Sequence, residues 1–79
     1  MITHELKCWP ENFKPLLSGE KRVELRLDDR GFNVGDMLRL REWNPHTEQY
    51  TGRDAYRMVT HIIRGGPWLA EDYVAMSIA

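Results

Sequence analysis

The chain contains a single cysteine, Cys8, so no disulfide can form within it and a secreted disulfide scaffold is excluded. Long hydrophobic runs are missing as well. No stretch of 18 apolar residues occurs, and the N-terminal "MITHELKCWP" lacks the apolar core of a signal peptide. The expectation is a cytoplasmic protein with no membrane partner. There is no internal repeat, low-complexity tract or linker, no phosphate loop, no dinucleotide fingerprint and no Ser-His-Asp order. Histidines are few and scattered. His4 and Cys8 fall four positions apart in a strand-like segment, roughly 13 Å at the strand rise, too far to share one ion. His46 lies in a loop-like stretch. No metal and no cofactor is expected.

What is present suits one small globular domain spanning 1–79. Hydrophobic residues make up 42 %, enough for one core, and three Trp argue against disorder. A net charge of −1 hides a gradient. Between Lys21 and Arg64 nine Lys/Arg face seven Asp/Glu, a net of +2, while the flanks carry −3. Eight of the eleven basic residues are Arg, whose planar fork of donors suits phosphates and base edges. This points to an anionic partner.

Periodicity predicts the order β-α-β-β-β-β. In "ITHELKC", Ile2, His4, Leu6 and Cys8 alternate with Thr3, Glu5 and Lys7, the pattern of a half-buried strand. In "PENFKPLLSG", Phe13, Leu16 and Leu17 form one helical stripe, and Gly19 is a natural left-handed stop. Pro15 leaves the helix start open between Pro10 and an Asn12 cap, and a loose first turn from Pro10 satisfies both. Residues 21–28 read as a strand, with Phe32 and Val34 returning to the core after a Gly-rich turn. "MLRLREW" places Leu38 and Leu40 on one face and Arg39 and Arg41 on the other. "NPHTEQYTG" reads as a long hairpin loop and "RDAYRMVTHII" as a strand whose buried side is not evident. A last strand turns Val74, Met76 and Ile78 inward. About five strands and one short helix after the first define a small barrel-like α+β domain.

The stretch "GEKRVELRLDDRGFNVGD" stands out. Lys21, Arg22, Glu24 and Arg26 crowd a short strand whose apolar residues occupy alternate positions. Strict alternation groups Glu24 with Arg22 and Arg26 and leaves Lys21 on the other side. A bulge, or the entry of the strand from Gly19, is needed to unite Lys21, Glu24 and Arg26. The plain reading is a solvated face with weak cross-strand ion pairs.

These residues also resemble the signature of the ASCH superfamily, whose domains adopt a PUA-like fold. The shared G-x-K-x-x-E-x-R pattern is met by Gly19, Lys21, Glu24 and Arg26, the V-G-D that follows by Val34, Gly35 and Asp36, and the L-x-L strand by Leu38 and Leu40. The chain looks like a compact bacterial and phage branch of undescribed function, with "HELK-x-WP-x-x-F" at His4–Phe13, "LREW" at Leu40–Trp43 and a "TG-R" hairpin at Thr51–Arg53. The resemblance implies a pseudo-barrel with the helix beside it, a cleft carrying Lys21, Glu24 and Arg26, and RNA or a nucleotide-like ligand as partner. One branch of similar size hydrolyses acetylcytidine nucleosides with a Thr nucleophile where this chain has Glu24. The missing hydroxyl argues against that activity.

The function expected is therefore an RNA- or nucleotide-binding module. In it Lys21 and Arg26 meet phosphate or carbonyl oxygens, and Glu24 accepts from a base amino group or orients Arg26. The alternatives are a small hydrolase on a modified nucleoside or RNA using Lys21 with Glu24 as general base, and a phage-type or regulatory module that binds a protein. Arg41, with Arg39 and Arg22, extends a basic face or is solvated. Trp43, Tyr50 and Trp68 offer stacking surfaces. Glu42 alternates with Leu38 and Leu40, so it points inward or into the cleft and needs a cation, with an Arg or Lys of the cleft the expected one.

Overall fold

The alternation in the N-terminal segment is realised as β1 (Thr3–Cys8), which buries His4, Leu6 and Cys8 and exposes Thr3, Glu5 and Lys7. Ile2 lies before the strand and is exposed. The computed structural model describes all residues, 1–79. Helix α1 (Pro10–Ser18) follows at once, with Trp9 as its cap residue and Pro10 at the first helical position, where no donor is needed. The Trp9 carbonyl accepts from both Asn12 N (2.9 Å) and Phe13 N (2.9 Å), so the first turn is shared between tight and regular bonding. Pro15 sits inside the helix and its missing donor falls on the partly exposed side. Phe13 and Leu16 are fully buried. Leu17 is not: the stripe is narrower than three residues, and Leu17 turns to solvent.

Strands β2 (Val23–Leu27), β3 (Met37–Asn44), β4 (Gln49–Arg64) and β5 (Tyr73–Ile78) complete the chain. The sheet order is β1-β3-β4-β5-β2; β1 runs parallel to β3 and every other pair is antiparallel. This is a five-stranded mixed sheet with one short helix, an α+β small barrel-like fold. β4 carries the curl. Its first part pairs with β3 and its last part with β5, and the register shifts between Val59 and His61. Its inward positions are Ala55, Val59 and the half-buried Ile62, a spacing that the shift takes out of strict alternation. The hairpin before it is short: β3 runs to Asn44 and β4 starts at Gln49, so most of the expected loop is strand.

Leu38, Leu40, Val74, Met76 and Ile78 share one core with Leu6, Phe13, Leu16 and Val59. Phe32 joins it, but Val34 is 61 % exposed, because the chain turns at Gly35 (φ 93°) to enter β3. That turn is fixed by Asp36. Its carboxylate accepts from Asn33 N (3.0 Å) and Ile2 N (3.3 Å) and meets His4 Nε2 at 2.9 Å, while His4 packs edge-on against Phe32 at 4.8 Å. The His4 contact, helped by the two backbone donors, holds the Asp36 carboxyl below the usual carboxylate range. The Arg57 guanidinium donates to the Leu16 carbonyl at 2.9 Å, tying the end of α1 to the barrel.

Leu40 is wholly buried at the centre of this core. Replacing it with Ala is expected to cost about 2–5 kcal/mol, a large part of the margin of so small a domain. Chemical denaturation measures it; a loss below about 1 kcal/mol contradicts the packing described.

Candidate functional site

The order of the strands leaves β1 and β2 as the two edges. The curl of the sheet brings these edges near each other without pairing, and the gap between them is the candidate site. Gly19 (φ 84°) ends α1 in the left-handed conformation that glycine allows without strain, and its N–H returns to the Leu16 carbonyl at 3.2 Å. Lys21 N then donates to the Pro15 carbonyl at 3.0 Å. Lys21 thus stands before β2 begins, free of its alternation, and its ammonium meets Glu24 Oε1. The entry from Gly19 unites the charged residues, with no bulge in β2. Glu24 Oε2 accepts from Arg26 Nε at 2.9 Å. Arg26 Nη2 reaches across the gap to the Lys7 carbonyl at 2.7 Å.

β2 is therefore turned with its charges inward. The Glu24 side chain is 5 % exposed, between a Lys21 at 18 % and an Arg26 at 27 %. Val23, Leu25 and Leu27 face outward and are exposed. A carboxylate this buried needs both cations, since an unpaired one costs several kcal/mol.

The cavity at the gap has a volume of about 460 Å³. On one side it is lined by Lys7, Cys8, Trp9 and Asn12, on the other by Lys21 and residues 23–26 of β2. Sequence reasoning missed the first set. The signal was "KCWPEN", where a strand ends against a helix start and leaves Trp9 half exposed beside the basic Lys7. Burial, with Glu24 nearby, pushes the Cys8 thiol up, against the opposing pull of Lys21 and Arg26. It stays protonated at neutral pH and is no resting nucleophile. None of the lining residues carries a hydroxyl.

Glu42, Arg41 and Trp43 do not line this cavity. Glu42 is buried as expected, but its cation comes from the β3–β4 hairpin and not from the cleft. Arg53 Nε and Nη2 meet its two oxygens at 2.9 Å each, and Thr51 Oγ1 donates at 2.7 Å. The shift of register between Arg41 and Trp43 lets this pair form across the hairpin. Trp43 packs edge-on against Tyr50 at 5.0 Å, Arg41 lies 3.8 Å over the Tyr50 ring, and Lys7 lies 3.9 Å over the Trp43 ring. Lys7 is thus the one residue that belongs to both places. Arg39 is taken by Asp54 (2.8 Å) and Glu5 (2.6 Å), and Arg22 Nε donates to the Gly19 carbonyl at 3.0 Å. Trp68 is remote, beside Ile63, Leu69 and Ala75 in an apolar hollow on the outer face.

Taken together, fold and site define a small half-open barrel with a charged seam. The chain belongs to the family described as "Domain of unknown function (DUF3850)", whose model matches residues 3–78. It is also similar to the "Uncharacterized 12.9 kDa protein in GpA 3'region" of Escherichia phage P2, at 38 % identity over 73 residues, which covers 92 % of this chain and 64 % of that protein. The chain thus spans less than two thirds of the length of this relative. No helix is long and apolar enough to cross a membrane.

The Arg53 and Thr51 contacts hold the Glu42 carboxyl below its ordinary range. A depressed carboxyl adds stability above its unfolded value, and that stability is lost as pH falls through the folded value. Asp36 and Asp28 act in the same direction. The protein is expected to lose stability steeply between about pH 5 and 2. Glu42→Gln should be less stable at pH 7 and show a shallower decline. Denaturant midpoints across this range test it; parallel curves for the two proteins contradict the role given to Glu42.

Proposed function

We propose that the protein is an ASCH-type, PUA-like module that binds single-stranded RNA or a nucleotide-like ligand in the seam between β1 and β2, acting in the cytoplasm. One observation carries the reading: the charges of β2 face a cavity of about 460 Å³, not solvent. Lys21 and Arg26 are donors held in place by Glu24, so they meet phosphate or carbonyl oxygens with little reorganisation. Trp9 supplies a ring at the mouth on which a base stacks. Because both Glu24 oxygens are engaged, its role is to position the two cations. The hydrolase alternative finds less support. The lining has no hydroxyl nucleophile, the Cys8 thiol is protonated, and Glu24 is bound on both oxygens.

A second reading rests on a separate observation. With β2 turned charges-in, Val23, Leu25 and Leu27 join Ile63, Trp68 and Tyr73 as an exposed apolar face over β2, β5 and β4. Such a face favours a protein-binding module.

Arg26→Ala separates the readings. Titrated with short single-stranded RNA at several salt concentrations, it should bind more weakly than the parent. Its salt slope should be flatter by roughly 0.7 for the lost phosphate contact. Equal binding at every salt contradicts the nucleic-acid reading.

A further inference from the structure

The ladder between β2 and β5 shows where the backbone of β2 points. Ile78 N donates to the Arg22 carbonyl at 3.0 Å, and Asp28 N donates to the Asp72 carbonyl at 2.7 Å. Both pairs lie in the register that sets Val23 opposite Ser77 and Leu27 opposite Tyr73. Hydrogen-bonded and non-bonded pairs alternate in an antiparallel ladder. The bonded residues of β2 are therefore 22, 24, 26 and 28. The N–H and C=O of Val23, Leu25 and Leu27 point away from β5, and β2 has no strand on that side. No loop or side chain bonds them either. Val23 and Leu25 line the cavity.

The opposite edge has the same character. Met37 N donates to the Ile2 carbonyl at 2.8 Å, so the even residues of β1 bond to β3 and the odd ones face the gap. Lys7 follows this rule: its carbonyl is the one that Arg26 takes. The seam is bordered by two unused strand edges, bridged at one point by Arg26. A second strand cannot enter past that bridge, but a flat ring can lie beside it.

We propose that Leu25, with Val23, reads one unstacked base through its backbone, and that the base preferred is one whose edge sets an N–H between two C=O groups, as uracil does. This rests on the nucleotide reading above. An extended residue at an open edge presents a donor and an acceptor side by side. The Leu25 carbonyl accepts the ring N–H, and the Leu25 N–H donates to the neighbouring ring carbonyl. The side chains around the base are rich in donors: the free protons of Lys21, the remaining guanidinium protons of Arg26 and the amide of Asn12. The one carboxylate of the cavity, Glu24, is already bound by Lys21 and Arg26. The second carbonyl oxygen of uracil therefore meets donors, whereas guanine turns an amino group toward them and adenine has no carbonyl oxygen to offer.

The test is a titration of the ¹⁵N-labelled protein with UMP, GMP, CMP and AMP, followed by NMR. UMP is expected to bind roughly tenfold more tightly than GMP and AMP, the discrimination that well-placed hydrogen bonds give, with CMP between them because it keeps one carbonyl oxygen. The Val23 and Leu25 amide signals should move on binding, and their exchange with D₂O should slow. Leu25→Pro removes the donor while sparing the ladder, since proline is tolerated on an edge strand where the N–H is unused; it should weaken UMP binding by roughly tenfold. If that variant does not fold, the amide shifts and exchange rates of the parent protein decide. Binding that perturbs Lys21, Arg26 and Trp9 but leaves the Val23 and Leu25 amides unmoved overturns the backbone reading and leaves the nucleotide reading standing. Equal affinity for the four nucleotides also overturns it. Failure of all four to bind overturns both.

Discussion

Glu24 is the point on which the structure turns. A carboxylate cannot be buried alone, and this one is buried in a sheet too short to close. Its two oxygens are met by Lys21, which arrives before the strand begins, and by Arg26, two residues along it. Arg26 then spends its remaining reach on the Lys7 carbonyl and so spans the open seam. Three consequences follow. β2 presents its charges inward. Its apolar residues are left on the outside. The two strand edges stay apart with a cavity between them instead of pairing.

The rest of the fold supplies the curvature that this arrangement needs. β4 belongs to two half-sheets, and its irregularity at Val59–His61 lets the second half bend away from the first. Helix α1 packs against β3 and puts Phe13 and Leu16 into the core. It is held at its N-terminus by the Trp9 carbonyl and at its C-terminus by Arg57 on the Leu16 carbonyl. Because α1 ends at a left-handed glycine, the chain turns directly into Lys21. The G-x-K spacing is thus a statement about how a helix hands over to a strand. The V-G-D that follows has an equally local meaning, since Asp36 ties the β3 entry to Ile2, Asn33 and His4.

Much of this was legible in the sequence. The order of elements and the inward Leu38, Leu40, Val74, Met76 and Ile78 rest on local pattern, whereas the grouping of Lys21, Glu24 and Arg26 came from the family resemblance, since strict alternation sets Lys21 apart. What was not legible depends on partners distant in the chain. Glu42 finds Arg53 because a register shift in the hairpin sets them opposite, and nothing in the spacing shows that. Val34 and Leu17 are apolar residues at positions where the backbone happens to face out. The buried side of β4 was hidden by its own irregularity, because a shifted strand breaks the period of two. Trp9 and Asn12 join the site only through the tertiary approach of β1 to β2.

The charges of β2 set the geometry of the seam, and on the proposed reading that geometry, not stability, is what they are kept for. Buried ion groups can be replaced by apolar residues of similar size at little cost when stability is all that they contribute. The measurement that tests this most directly is the denaturant unfolding of the triple variant Lys21→Met, Glu24→Leu, Arg26→Met beside the parent protein. A variant as stable as the parent or more so is expected. A variant that unfolds well before the parent would contradict it and make the buried cluster a part of the framework.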